Sequence, residues 1–260
     1  MKILTNPIKL KAMNDPFSLI AEYYDEVMEK VDYDEWARYI KTLFSMAPLK
    51  PIKRVLDLAS GTGNLSIKLG NQGYEVFGLD YSPGMVRVAK RKIVDKPFTM
   101  HMIIADFRKL PFRKNLFDAV ISTFDSLNNI LEPEELFETF REVREVLRKG
   151  GPFIFDLNTN WSFETEWHNM TRVEETANTV SIWKSRYLNG IVYLYFTLFV
   201  RIDKGDTYKK IYTVFRERGY DPDEVKKYLK KAGFKKVYCY DHLTLSPGKA
   251  KSSRITYLAY

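Results

Sequence analysis

Apolar positions recur along the chain at two periods, and the switches between them divide it. From residue 17 to 46 the period is helical: Leu19, Ile20, Tyr23, Tyr24 and Val27, then Trp36, Tyr39, Ile40 and Leu43, share a face. Pro48 and Pro51 interrupt that pattern. Short apolar strands then alternate with helices. The strands are KRVLDL (53–58), EVFGLD (75–80), MHMIIAD (100–106), FDAVIST (117–123) and GPFIFDL (151–157). Ser82-Pro83 reads as an N-cap with proline in the first helical turn, and a helix over about 133–149 stops at Gly150-Gly151. Five strands alternating with helices specify a parallel sheet with right-handed crossovers. After Asn158 the period becomes two. VSIWKSRY, IVYLYFTLFV and YKKIYTVF alternate without helical interruption, with Asn189-Gly190 and Lys204-Gly205 as turns. Asp221-Pro222-Asp223-Glu224 caps a last helix that ends at Gly233, and strands at 235–242 and 254–260 close the chain.

The expected fold is therefore α/β: a doubly wound, mostly parallel seven-stranded sheet with helices before it and an antiparallel β insertion after the fifth strand. Residues 1–46 read as an N-terminal helical lid, 47–160 and 220–260 as the core, and 161–219 as the insertion covering the substrate side.

Composition changes little in this picture. With 45% apolar residues among 260, a large buried core is expected. The run from Ile191 to Val200 is far shorter than the roughly 20 residues a membrane helix needs. The opening MKILTNPIKLKAM has no apolar stretch of signal-peptide length. Cys239 is the single cysteine, so no internal disulfide exists, and a cytoplasmic location is expected. Three scattered histidines lack metal-ligand spacing, and no metal is expected. The net charge of +8 invites a nucleic-acid reading, but 14 Lys/Arg against 7 Asp/Glu from Asp203 onward hold nearly all of it. Lys226, Lys227, Lys230 and Lys231 lie opposite Val225, Tyr228, Leu229 and Ala232 on one helix, which reads as a solvated face.

The chemistry gathers at the strand ends. The first strand runs into Asp57-Leu58-Ala59-Ser60-Gly61-Thr62-Gly63-Asn64, a glycine turn entering a helix. Such a turn lets the backbone approach a ligand and offers unpaired N–H groups. Asp80 ends the second strand, where an ionised carboxylate can accept from both hydroxyls of a ribose. Together they point to an adenosine-type ligand and leave a nicotinamide dinucleotide open. Asp57 then argues against a pyrophosphate and for a ligand with an ammonium group and a sulfonium. Asp106-Phe107 ends the third strand, placed to take an exocyclic adenine amine. Each acid also has a plainer role available: Asp57 and Asp80 as caps, Asp106 as a loop acid.

Taken together, Asp57, Ala59, Gly61, Gly63, Asp80 and Asp106 resemble the class I S-adenosylmethionine-dependent methyltransferases, over about residues 53–160. Ala59-Ser60 stands where Gly-Cys is common in that family. The resemblance implies that Gly61 and Gly63, followed by Asn64, pass under the methionine part while Asp57 helps hold its amino group. Asp80 would take the ribose, Tyr81 and Met85 would flank the adenine, and Asp106 and the Phe107 N–H would meet its edge. The segment Ser122-Thr123-Phe124-Asp125 would lie beneath the methyl group. Tyr23-Tyr24-Asp25 resembles the lid helix of small-molecule methyltransferases, whose tyrosine can contact the cofactor carboxylate. An insertion after the fifth strand is similar to that of sugar-amine and glycine-type N-methyltransferases. The implied reaction is in-line methyl transfer to N or O of a small-molecule acceptor, with S-adenosylhomocysteine as product. Tyr24, Asp125, Asn158, His168 and His242 are the candidate bases. An RNA methyltransferase using the basic C-terminal region and a non-catalytic S-adenosylmethionine-binding partner are the alternatives.

Overall fold

The computed structural model describes residues 15–203, 205, 207–249 and 251–260. The start of the expected lid, the signal-peptide reading of residues 1–13, and Lys204 lie outside the described residues.

The 17–46 stretch is not one helix. Asp15 caps α1 (Pro16–Ile20) by accepting from Phe17 N; a 3-10 turn (Ala21–Tyr23) and α2 (Tyr24–Val27) follow. A break over 28–32 precedes α3 (Tyr33–Met46). The break has a local cause: the Asp32 carboxylate accepts from Asp34 N and Glu35 N, which starts a new helix there.

The core then alternates as expected: β1 (Arg54–Leu58), α4 (Asn64–Asn71), β2 (Glu75–Asp80), α5 (Pro83–Lys92), β3 (Met100–Ile104), β4 (Ala119–Ser122), α6 (Pro133–Val146) and β5 (Phe153–Asn158). The insertion opens with a short helix, α7 (Asn160–Thr165), which the strand-like reading of 161–219 missed. Thr159 caps it by accepting from Ser162 N, a side-chain device with no hydrophobic period to announce it. Four strands follow, β6 (Thr171–Glu175), β7 (Thr179–Leu188), β8 (Ile191–Arg201) and β9 (Tyr208–Arg218), paired antiparallel in that order. Asn189 and Gly190, both at positive φ, form the two-residue turn between β7 and β8. The helix α8 (Pro222–Lys231) and the strands β10 (Val237–Asp241) and β11 (Arg254–Ala259) return the chain to the main sheet.

That sheet has seven strands in the order β10-β11-β5-β4-β1-β2-β3, with β11 antiparallel to both neighbours. The order reverses between β1 and β4, so a crevice opens beyond their C-terminal ends. Both faces of the central strands are covered, and β1, β4 and β5 are accordingly almost wholly buried. Leu56, Leu58, Phe77 and Leu79 pack on the side of α6 and α8, whereas Val55, Val76, Ile121 and Ile154 pack against Trp36, Ile40 and Leu43 of α3 and Leu65 and Leu69 of α4. A third cluster joins the insertion to the core. Alternate residues of β8 (Val192, Leu194, Phe196, Leu198 and Val200) bury one face against Ile20, Ala21, Met85 and Val88. The N-terminal helices and the small sheet therefore stand over the crevice together. Among the described residues no helix is long and apolar enough to cross a membrane.

Candidate active site

Beyond the strand ends lies a cavity of about 850 Å³. Of the residues singled out in the sequence, it is lined by Tyr24, Ala59, Gly61, Asp80, Tyr81, Met85, Asp106, Phe107, Phe124, Asp125 and His242.

Two carboxylates tie the glycine turn down. Asp80 Oδ2 accepts from Gly61 N and Oδ1 from Ser82 N, both at 2.8 Å, so one carboxylate joins the turn to the start of α5. Burial pushes Asp80 up to about 6, against those two N–H donors. Ala59 stands at φ +55, a left-handed conformation that costs a Cβ-bearing residue. Gly61, at φ +56, leaves open space where a side chain would stand, with only a Tyr24 ring carbon at 4.0 Å. Gly63 differs. A Cβ there would meet the Met100 methyl at 3.0 Å and the Ala89 Cβ at 3.4 Å, so this glycine lets α4 and α5 pack closely. The second tie is Asp25. Its Oδ1 accepts from the Thr62 hydroxyl and, at 3.0 Å, from Asn64 Nδ2, and its Oδ2 accepts from Lys92 Nζ at 2.5 Å. Asn64 is thus occupied in holding the N-terminal segment down, its Oδ1 also accepting from Lys92. Asp57 lies one layer behind the cavity, its Oδ2 accepting from Ser66 Oγ at 2.5 Å. Burial pushes it up to about 7, opposed by the Ser66 hydroxyl and assisted by the Asp80 charge.

At the β3 end, Asp106 is gripped by the guanidinium of Arg108, with Nε 3.0 Å from both oxygens and Nη2 2.7 Å from Oδ2. Arg108 reaches Glu135 as well, at 2.9 Å. The sequence reading missed Arg108, although an Asp followed two residues later by Arg was there to suggest the pair.

The opposite side is built from distant pieces. Phe124 and Asp125, after β4, both adopt positive φ, a strained pair of a kind that gathers at functional sites. Phe124 packs on Tyr33 and Trp36, and Trp36 meets the His242 ring edge-on at 5.3 Å. Asp125 N donates to Asp156 Oδ2 at 3.0 Å; its Oδ2 accepts from Asn158 at 2.6 Å, and its Oδ1 pairs with Arg254 Nη2 at 2.6 Å. Arg254 arrives because β11 pairs antiparallel with β5, placing it opposite Asn158. Its Nε lies 3.2 Å from Asp156 Oδ2. Glu217 of β9 completes the wall. Burial pushes His242 down to about 4, so its imidazole is neutral at pH 7, and its Nδ1 is buried without a partner. Burial also drives the Tyr24 hydroxyl far above its ordinary range, assisted by Tyr33, Asp125 and Asp80.

Two predicted residues stand elsewhere. His168 is exposed and bonded to Asn169, and Thr123 is buried behind the cavity, where its carbonyl accepts from Ser126 Oγ. Asp156, Glu217 and Arg254 went unseen in the sequence, since each sits in an ordinary strand far along the chain. Among the described residues no group of three or more His, Cys, Asp or Glu is arranged to hold a metal ion.

Comparison with known proteins agrees with this geometry. Residues 55–151 match the family described as Methyltransferase domain. An S-adenosylmethionine-dependent methyltransferase from Clostridium acetobutylicum ATCC 824 superposes with a TM-score of 0.82 at 27% identity, covering 94% of this chain and 98% of that one. YqeM of Bacillus subtilis (strain 168), which carries a provisional name as a methyltransferase, is 28% identical over 92% of this chain and 94% of its own. The sugar N-methyltransferase KedS8 from Streptoalloteichus sp ATCC 53650 shares the fold, with a TM-score of 0.72 at 18% identity over 99% and 98% of the chains. The matched domain and the fold are those of S-adenosylmethionine-dependent methyltransferases.

Proposed function

We propose that this enzyme methylates a nitrogen or oxygen of a small molecule enclosed between the N-terminal segment, acting as a lid, and the insertion sheet. The observation that carries this reading is the shared cavity. One space of about 850 Å³ touches the glycine turn and Asp80 at one end and Trp167, Trp183 and Glu217 of the insertion region at the other. That size is near the upper end for small-molecule sites. The basic face of α8 lies elsewhere: Lys226 pairs with Asp223 and Lys231 lies over the Phe137 ring.

The residues fit the cofactor. Asp80, with each oxygen held by one N–H, keeps lone pairs for the ribose hydroxyls. Met85 and Tyr81 would flank the adenine, and Asp106 would share its carboxylate between Arg108 and the exocyclic amine. Ala59 and Gly61 would underlie the methionine part, with the Asp57 charge behind them. Bound there, S-adenosylmethionine supplies an activated methyl on a sulfonium. The protein's share is to aim the acceptor along the C–S axis and to exclude water, which can be worth roughly 7–11 kcal/mol. Tyr24, Asp125 and His242 are the lining groups from the sequence reading that could move a proton. The single cysteine, half-buried Cys239, supports a reducing, cytoplasmic setting.

Thermal denaturation tests the cofactor half: S-adenosylmethionine and S-adenosylhomocysteine should raise the melting temperature and NAD should not. Reversing Lys227 and Lys230 to Glu tests the acceptor half. Loss of micromolar RNA affinity at physiological salt in that variant would overturn the small-molecule reading.

A further inference from the structure

Glu217 stands on β9, the innermost wall of the insertion, and lines the cavity. Its Oε2 is buried and has no hydrogen-bond partner among the described residues, and neither has His242 Nδ1 in the same cavity. Asn158 hydrogen-bonds to the Glu217 carboxyl and Arg254 attracts it from a distance, while Asp125 repels its charged form and Asp156 stands behind them. The guanidinium of Arg254 is committed to Asp125 at 2.6 Å and to Asp156 at 3.2 Å. Three carboxyls thus gather around one cation, and among the described residues Glu217 makes no ion-pair contact with it. Burial disfavours its charged form despite Arg254, so the carboxylate is favoured only when a further cation comes to Oε2.

The cavity supplies a second feature with the same preference. Tyr24, Trp36, Phe124, Trp167, Trp183 and Phe215 line it, and aromatic faces attract cations and repel anions. An alcohol would satisfy one lone pair of Glu217 and leave the charge uncompensated. An ammonium would satisfy both.

We propose that Glu217 binds the methyl acceptor directly and selects one carrying a basic nitrogen, an alkyl ammonium on a body that fits between aromatic rings. This rests on the small-molecule reading above and narrows it from nitrogen or oxygen to nitrogen. The ammonium gives one proton to Glu217 Oε2. The freed lone pair forms the N–C bond to the sulfonium methyl while the C–S electron pair returns to sulfur. A methylated ammonium and a neutral thioether result, and Glu217 releases the proton to water as the product leaves. Burial holds the Glu217 carboxyl well above the usual range, with Asp125 adding to the rise and Arg254 opposing it, which suits it to take that proton.

The test is calorimetry on the full chain saturated with S-adenosylhomocysteine. The probes are 2-phenylethylamine, cyclohexylamine and glucosamine, each beside its hydroxyl counterpart: 2-phenylethanol, cyclohexanol and glucose. At least one amine should bind about tenfold or more tightly than its counterpart, as a hydrogen bond to a charged group implies. Glu217→Gln should erase that preference while leaving S-adenosylhomocysteine affinity unchanged, and Glu217→Asp should keep part of it. No amine preference in any pair, or a preference that survives Glu217→Gln, overturns the proposal. Failure of the unsubstituted chain to bind S-adenosylhomocysteine would instead strike at the cofactor placement, which the same titration reads separately.

Discussion

The two ends of the cavity are held together in opposite ways. At the β1–β2 end most polar groups satisfy one another before any ligand arrives, Ser60 Oγ and Asp15 Oδ2 being the buried exceptions among the described residues. Asp80 spans two backbone N–H groups, Asp25 gathers Thr62, Asn64 and Lys92, and Asp106 is clasped by Arg108. At the β4–β5–β11 end three carboxyls surround Arg254, two consecutive residues hold strained backbone, and Glu217 Oε2 and His242 Nδ1 are buried without hydrogen-bond partners among the described residues. A ligand shared by every enzyme of a class can be met by a finished, rigid cradle. On the function proposed above, the end left electrostatically incomplete is the one that recognises the acceptor, so that the right molecule completes it.

The sharpest way to break that contrast is to remove the single cation. Arg254→Met leaves Asp125 and Asp156 without their partner, at an expected cost of about 3–5 kcal/mol in urea denaturation. The pH dependence has a definite sign. Even beside Arg254, burial holds Asp156 up to about 6. Without the guanidinium the folded-state pKa of Asp156 rises further, so the native form holds more protons than the unfolded chain from about pH 4 upward. The variant should therefore lose stability as pH rises, and its deficit should be larger at pH 8 than at pH 5. A deficit independent of pH would show that Arg254 matters by packing.

At the other end, Asp80→Asn should weaken S-adenosylmethionine binding about tenfold to a hundredfold, since a charged acceptor is worth roughly 1.5–3 kcal/mol. In the unsubstituted protein the same affinity should fall below pH 6, near which Asp80 takes up a proton, and level off above pH 7. Calorimetry over that range reads both. An unchanged Asp80→Asn would remove the ribose assignment.

Smaller effects follow from the ties around the turn. Asp25→Ala frees the N-terminal segment from Thr62, Asn64 and Lys92, but the Asp25 side chain is 41% exposed, so solvent already weakens the ion pair. Cofactor release by stopped flow should quicken about threefold to tenfold, with little change in acceptor discrimination. Ala59→Gly should be neutral or stabilising by up to about 1 kcal/mol. It relieves the left-handed strain at φ +55 but adds freedom to the unfolded chain. A clear loss of stability would mean that the Ala59 methyl contributes packing that outweighs the strain.

Legibility differed between the two ends for the same reason that their chemistry does. Asp57, Ala59, Gly61, Asp80 and Asp106 each sit at the end of a strand whose apolar run is visible, so position along the chain gave position at the crevice. Gly63 and Asn64 were visible too, but their work is packing and latching, which only contacts reveal. His168 looked suitable because it falls in the insertion, yet its side chain is exposed beside Asn169. Asp156, Glu217 and Arg254 carried no local signal at all.

The sequence by itself determined the alternation of strands and helices, the switch to period two after Asn158, and a nucleotide-type turn with its carboxylate. These follow from short-range rules, in which a residue's neighbours within one turn or one strand decide its environment. Tertiary structure alone decided what meets Asp125. Its partners lie 31 residues on at Asp156 and near the C-terminus at Arg254, and Glu217 reaches the same neighbourhood from another sheet. No periodicity encodes such a meeting. It follows from antiparallel pairing of β11 with β5 and from the apolar face of β8 packing on the N-terminal helices, which brings the charge on β9 over the strand ends.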